Sequence, residues 1–257
     1  MIVGACQFDI AWEDKGANHA RVEALLDANP LPRGSLLALP EMFATGFSMD
    51  VAQIDEGAGR ASERFLAGLA RERELHVLAG VVNRGGDARG RNEAVFFGPD
   101  GSERARYCKL HPFSYSGEAQ HYAAGKGIVT FEWAGATVAP LICYDLRFPE
   151  AFRAAVRRGA QMFIVIANWP APRETHWLTL LRARAIENQA FVVGVNRCGH
   201  DPHLAYSGHS LIVDPRGEIL ADAGSGEGLA RAEIDLSVLE AYRRSFPALA
   251  DMRPDLA

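Results

Sequence analysis

Short runs of aliphatic and β-branched residues alternate along the chain with stretches in which apolar residues recur every three or four positions. The first pattern is that of strands, the second that of helices with one buried face. Residues 2–8 read as a strand, and 18–29 as a helix with Val22, Leu25 and Leu26 inward. A strand over 35–39 stops at Pro40 and Glu41, and 61–74 is helical with Phe65, Leu66 and Leu69 as its stripe. Strands follow over 77–82 and 94–97, and the turn Pro99-Asp-Gly101 leads into another over 105–109. The apolar run 136–142 stops at Cys143, after which Phe148-Pro-Glu150 opens a helix to about Arg158, closed by Gly159. A strand over 162–167 then ends at Asn168. A helix over 176–189 turns Trp177, Leu180, Leu181 and Ile186 inward, and a strand over 191–195 ends at Asn196. Two strands flank the turn Asp214-Pro-Arg-Gly217, and 229–234 is one more. A helix from Leu236 to about Arg244 precedes a polar tail from about residue 247.

Strands alternating with helices of this length predict a layered α/β fold with helices outside the sheets. The turns at 99–101 and 214–217 resemble each other weakly, which common turn chemistry explains better than an internal duplication. No linker, charge block or low-complexity segment divides the chain, so residues 1–257 read as a single domain. The net charge of −5 argues against nucleic acid or an anionic membrane as partner. No apolar stretch approaches the ~18 residues of a membrane span. The opening residues lack the basic start and small-residue cleavage site of a signal peptide. Cys6, Cys108, Cys143 and Cys198 form no C-x-x-C pair and no zinc spacing, so four reduced thiols in a cytoplasm are expected.

Glu41, Lys109 and Cys143 fall at the far ends of three predicted strands, where open α/β sheets place their ligand sites. Singly, the cysteine reads as core packing and the other two as surface charge. Together they suit nucleophilic catalysis. A thiol needs a neighbouring base or cation to become a nucleophile. Glu41 is placed to take its proton, and Lys109 to stabilise the negative charge that develops on attack at a carbonyl. Burying a carboxylate and an ammonium is costly unless they compensate each other. His200, His203 and His209 have the irregular spacing of solvated loop histidines rather than metal ligands. Ser207-Gly-His209 lacks the G-x-S-x-G elbow of a serine hydrolase. Neither a metal nor an organic cofactor is expected.

Three runs in this order resemble the nitrilase superfamily of carbon–nitrogen hydrolases: Leu-Pro-Glu41-Met-Phe, Tyr-Cys-Lys109-Leu-His-Pro-Phe and Leu-Ile-Cys143-Tyr-Asp-Leu-Arg-Phe-Pro-Glu. Gln7, Asn168-Trp-Pro, Arg182-Ala-Arg-Ala-Ile-Glu-Asn188, Asn196-Arg and Gly208-His-Ser210 extend the likeness from about Ile2 to Ile234. The resemblance implies a four-layer α-β-β-α sandwich, a Glu-Lys-Cys triad and a homodimer or larger homo-oligomer. It implies a second glutamate after the lysine, a place Glu118 occupies, as a substrate-positioning or acid/base partner. The flanks of Glu41 and the run His111-Pro-Phe-Ser-Tyr-Ser-Gly-Glu look most like the ω-amidase branch, which deamidates 2-oxoglutaramate and 2-oxosuccinamate. Nitrilases often carry Cys-Trp-Glu at the nucleophile, so Cys143-Tyr-Asp favours an amidase. The implied reaction runs through a thioester on Cys143, with Lys109 and the backbone N–H of Tyr144 holding the oxyanion. Arg173 is the candidate for a fork-like contact with a substrate carboxylate, and Asn168 a further substrate-binding residue. Arg147, at a helix start, suits a structural ion pair better. An amidase for another small amide, an N-carbamoyl hydrolase, a nitrilase, or a non-catalytic binder on the same fold are the alternatives.

Overall fold

A computed structural model of the chain describes residues 1–253. The first five strands are β1 (Ile2–Gln7), β2 (Leu36–Ala38), β3 (His76–Arg84), β4 (Gly90–Phe97) and β5 (Glu103–Cys108). Next come β6 (Phe131–Trp133), β7 (Ala136–Ile142), β8 (Met162–Ala167) and β9 (Phe191–Asn196). The hairpin β10 (Cys198–His200) and β11 (Ala205–Ser207) leads to β12 (Leu211–Val213), β13 (Ile219–Asp222) and β14 (Gly228–Glu233). Two six-stranded mixed sheets result, in the orders β14-β1-β2-β3-β4-β5 and β13-β12-β9-β8-β7-β6. Both hairpins read from the turns at 99–101 and 214–217 are present, as β4–β5 and β12–β13.

Alternation along the strands of the first sheet explains the layering, because successive side chains point to opposite faces. Val3, Ala5, Leu36, Ala38, Leu78, Ala94 and Phe96 face the second sheet and share its core. Their neighbours Leu37, Leu39, Val77, Ala79, Val95 and Phe97 face outward, under Val22 and Leu26 of helix α1 (Lys15–Ala28) and under Leu66 and Leu69 of a second long helix at Ala61–Arg73. On the far side, the helices at Pro149–Val156 and Glu174–Asn188 cover the second sheet through Phe152, Trp177 and Leu181. The fold is the four-layer α-β-β-α sandwich that the resemblance implied.

Two expectations need correction. Ile186, placed inward by periodicity, is 49% exposed, because Glu174–Asn188 buries the stripe of Trp177, Leu181 and Ala185 instead. The tail is not uniformly polar: Leu249 and Met252 pack against the core of their own chain, while 254–257 lie outside the described residues.

Candidate active site

β2, β5 and β7 deliver Glu41, Lys109 and Cys143 to one end of the sandwich. Glu41 lies just past β2, in a turn whose Met42 has φ +46°. That turn lies on β3: a Cβ at Gly80 would come within 2.5 Å of Glu41 Cα, so glycine alone permits the approach. Cys143 ends β7 and opens a 3-10 turn, Cys143–Arg147, with φ +47°. Such a conformation costs a non-glycine residue about 1–3 kcal/mol and persists only where the surroundings over-determine it.

The carboxylates and the ammonium form one sealed cluster. Lys109 Nζ donates to Glu41 Oε1 at 2.8 Å and to Glu118 Oε2 at 2.9 Å, and none of the three side chains is more than 1% exposed. The Nδ2 of Asn92, on β4, joins the two acids, donating to Glu41 Oε1 at 2.7 Å and Glu118 Oε1 at 2.9 Å. Glu118, at the start of a one-turn helix, also accepts from the backbone N–H of Phe113. The ring of Phe47 lies 5.2 Å from Lys109 Nζ. Asn168, past β8, donates its backbone N–H to Glu41 Oε2 at 2.8 Å and its side-chain Nδ2 to the Glu41 carbonyl at 2.6 Å. Asn92 and Phe47 escaped the sequence reading. Asn92 precedes the strand read at 94–97, and only the two carboxylates opposite it give it meaning.

Charge bookkeeping sets the protonation of the thiol. Two carboxylates surround one ammonium, leaving a surplus of negative charge beside Cys143. Burial and the Glu41 carboxylate therefore push the thiol well above its ordinary value of 9.0, although Lys109 pulls the other way. Burial favours the neutral amine of Lys109, but Glu118 and Glu41 outweigh it and hold the ammonium well above the ordinary lysine value. The resting pair is a neutral thiol and a charged lysine.

Cys143 faces a cavity. Its walls are largely aromatic, with Phe47, Phe113, Tyr144, Trp169 and Tyr206, and two guanidiniums, Arg147 and Arg173, stand among them. Arg173 lies over the Phe113 ring at 5.4 Å. Arg147 lies over the Trp169 ring at 4.8 Å and contacts His176 Nδ1 at 3.1 Å. Neither has a carboxylate partner among the described residues, so the ion pair expected for Arg147 is not formed and both cations are left to the cavity. Tyr144 packs its ring between Phe113 and Phe148 at the cavity wall. Cys143 and Asn168 line the cavity, whereas Glu41, Lys109 and Glu118 lie outside its lining.

The other polar candidates lie apart. His209 pairs with Asp222 at 3.0 Å, and His203 packs edge-on against Trp12. No group of three or more His, Cys, Asp or Glu among the described residues is arranged to hold a metal ion. Asn196 and Gln7 are scaffolding: Asn196 fixes the backbone of Trp169 and Gly208, and Gln7 holds Ser210 and Gly224. No helix among the described residues is long and apolar enough to cross a membrane.

Comparison with known proteins agrees with this geometry. The family model of the carbon–nitrogen hydrolases matches residues 2–244. A 2-oxoglutaramate amidase of Bacillus subtilis is 37% identical over 257 residues, covering 99% of this chain and 98% of that protein. The omega-amidase YafV of Yersinia enterocolitica is 39% identical over 254 residues, 95% of this chain and 94% of its own. A solved CN-hydrolase superfamily protein of Xanthomonas campestris, XC1258, with an arsenic adduct in its active site, matches with a TM-score of 0.91. It is 32% identical and covers 98% of this chain and 97% of its own. The chain belongs to the carbon–nitrogen hydrolase family. It is an amide-hydrolysing enzyme.

Proposed function

We propose that the protein is an ω-amidase, cleaving the terminal amide of small α-keto dicarboxylic acid monoamides such as 2-oxoglutaramate and 2-oxosuccinamate. The observation that carries this reading is the pairing of one thiol with two guanidiniums that have no carboxylate partner among the described residues, in a single small cavity. The thiol provides for attack on an amide, and the guanidiniums for a carboxylate at the other end of the same molecule. The two relatives named above support it.

In this mechanism Glu41 takes the Cys143 proton as sulfur attacks the amide carbon. Proton transfer in the attack itself suits a thiol whose resting form is neutral. Lys109 and the backbone N–H of Tyr144 stabilise the oxyanion, a contribution of about 2.7–4 kcal/mol per donor where one has been removed. Glu41 returns the proton to the leaving nitrogen, the C–N bond breaks, ammonia departs and a thioester stays on Cys143. Glu41 then deprotonates a water that attacks the thioester, and the thiol is regenerated with the free acid. Glu118 serves this cycle by holding Lys109 charged and in place. Asn168 Oδ1 is buried with no hydrogen-bond partner among the described residues, which suits an acceptor for the N–H of the substrate amide.

We read residues 1–257 as one domain, since both sheets supply the site. We also propose a homodimer or larger assembly. Ile186 and Phe246 are 49% and 58% exposed, and the bond from Gln189 Nε2 to the Phe246 carbonyl draws their helix ends together. Four free cysteines support a reducing compartment, the cytoplasm.

Ammonia release from a panel tests the substrate. 2-Oxoglutaramate and 2-oxosuccinamate should be turned over in preference to glutamine, an N-carbamoyl amino acid and a nitrile. Turnover confined to the nitrile or the carbamoyl compound would sink the proposal.

A further inference from the structure

Asp145, two residues past Cys143, is fully buried and lies outside both the charged cluster and the cavity wall. Its Oδ2 accepts from the Ile142 backbone N–H at 3.0 Å and from the Tyr107 hydroxyl at 2.7 Å. Its Oδ1 accepts from the His111 backbone N–H at 3.0 Å and lies 2.7 Å from His111 Nδ1. Tyr107 and His111 stand two residues either side of Lys109. Ile142 and Asp145 bracket Cys143. The His111 ring also stacks on Phe148, which follows the Cys143 turn, with centroids 3.8 Å apart and planes 10° from parallel. One carboxylate therefore ties the end of β5 to the end of β7, across the two sheets.

We propose that Asp145, with His111 as its partner, is a positioning residue that sets the Cys143 thiol against the Lys109 ammonium and holds the Cys143 turn in its positive-φ conformation. The inference rests on Cys143 being the nucleophile. A carboxylate offers only acceptors, and all four groups around Asp145 can donate to it. Asparagine in its place would keep one acceptor oxygen and present an N–H to two donors. The strained Cys143 backbone needs constraint from both sides, and the Asp145 bonds supply it from the lysine side. An error of about 1 Å between reacting groups costs roughly 10²-fold in rate.

The test uses Asp145→Asn, His111→Ala and His111→Asn, with three readouts: steady-state kinetics on 2-oxoglutaramate, the rate of Cys143 alkylation by iodoacetamide, and the melting temperature. Asp145→Asn should lower kcat by roughly 10²-fold while KM stays within about threefold, and alkylation should slow in step. His111→Ala should act in the same direction. His111→Asn, whose amide can donate where Nδ1 lies, should recover most of the loss. The proposal is overturned if His111→Asn is no better than His111→Ala, or if losses of rate merely follow losses of melting temperature. If Asp145→Asn does not fold, the two His111 variants decide, since that side chain is 33% exposed and tolerant of change. Failure of the wild type to turn over 2-oxoglutaramate would count against the proposed substrate alone. The alkylation rates would still judge Asp145.

Discussion

Asn168 grips Glu41 twice, with its backbone N–H on the carboxylate at 2.8 Å and its side-chain amide on the main-chain carbonyl at 2.6 Å. The residue ending one sheet's central strand thus aims the proposed base of the other sheet. Asn168→Asp would set a carboxylate against the Glu41 carbonyl and side chain. It should lower kcat by roughly 10²-fold, the low end of what a general base contributes. Asn168→Ala, which keeps the backbone donor, should cost less. Steady-state kinetics on both variants check the order, and equal losses would contradict it.

Among the described residues, Lys109 is the only cation paired with the two buried carboxylates Glu41 and Glu118. Lys109→Met should destabilise the fold by about 3–5 kcal/mol, because it strands buried charge rather than merely deleting a contact. Adding Glu118→Gln to Lys109→Met should recover part of that loss, giving a coupling measurable in a double-mutant cycle by urea unfolding. A single variant as stable as the wild type would show that the cluster is not tightly coupled.

The thiols set a pH dependence with a definite sign. Burial is the first cause of the rise in Cys6 to about 12 and in Cys108 to about 11, and it pushes Cys143 well above 9.0. An unfolded chain releases those protons near the ordinary value while the folded chain keeps them. Stability is therefore whole below about pH 9 and falls as pH rises through the folded values. Melting temperature should decline over that window, with a shallower slope in Cys6→Ala. The thiolate absorbance of wild type minus Cys143→Ser should stay flat from about pH 6 to 9. A thiolate step near neutrality would contradict the neutral resting thiol.

The two guanidiniums, without a carboxylate partner among the described residues, predict a split between binding and chemistry. Arg147→Ala and Arg173→Ala should each raise KM for 2-oxoglutaramate by about tenfold or more with kcat little changed, the mark of lost uniform binding. Arg173→Lys should not restore the wild-type value, since an ammonium cannot make the planar fork. An uncharged amide of similar length should be indifferent to all three changes. Equal effects on charged and uncharged amides would remove the carboxylate from the cavity.

Much of this was written in local pattern. Glu41, Lys109 and Cys143 stood out as candidates because each falls at a predicted strand end, and the fold was legible because strand and helix spacings alternate. What stayed hidden depends on pairing across the sheets. Asn92 matters only through the two acids it joins, and the strand containing it runs from Gly90 rather than Ala94. Asp145 reads in sequence as a mark distinguishing amidase from nitrilase, and its four donors come from segments up to 38 residues away. The ion pair expected of Arg147 failed for the same reason: its neighbours, Trp169 and His176, arrive from the loop after β8 and from the helix that follows. Ile186 was misplaced because, at 3.6 residues per turn, it falls on the face opposite the buried stripe of Trp177, Leu181, Arg184, Ala185 and Asn188.

The central claim is that Cys143 carries the acyl group. Acid quenching of the enzyme during turnover of 2-oxoglutaramate, followed by peptide mass mapping, tests it most directly. The account predicts an acyl adduct on the peptide containing Cys143, lost together with activity in Cys143→Ala. Wild-type turnover in Cys143→Ala, with no adduct on that peptide in the native enzyme, would contradict it.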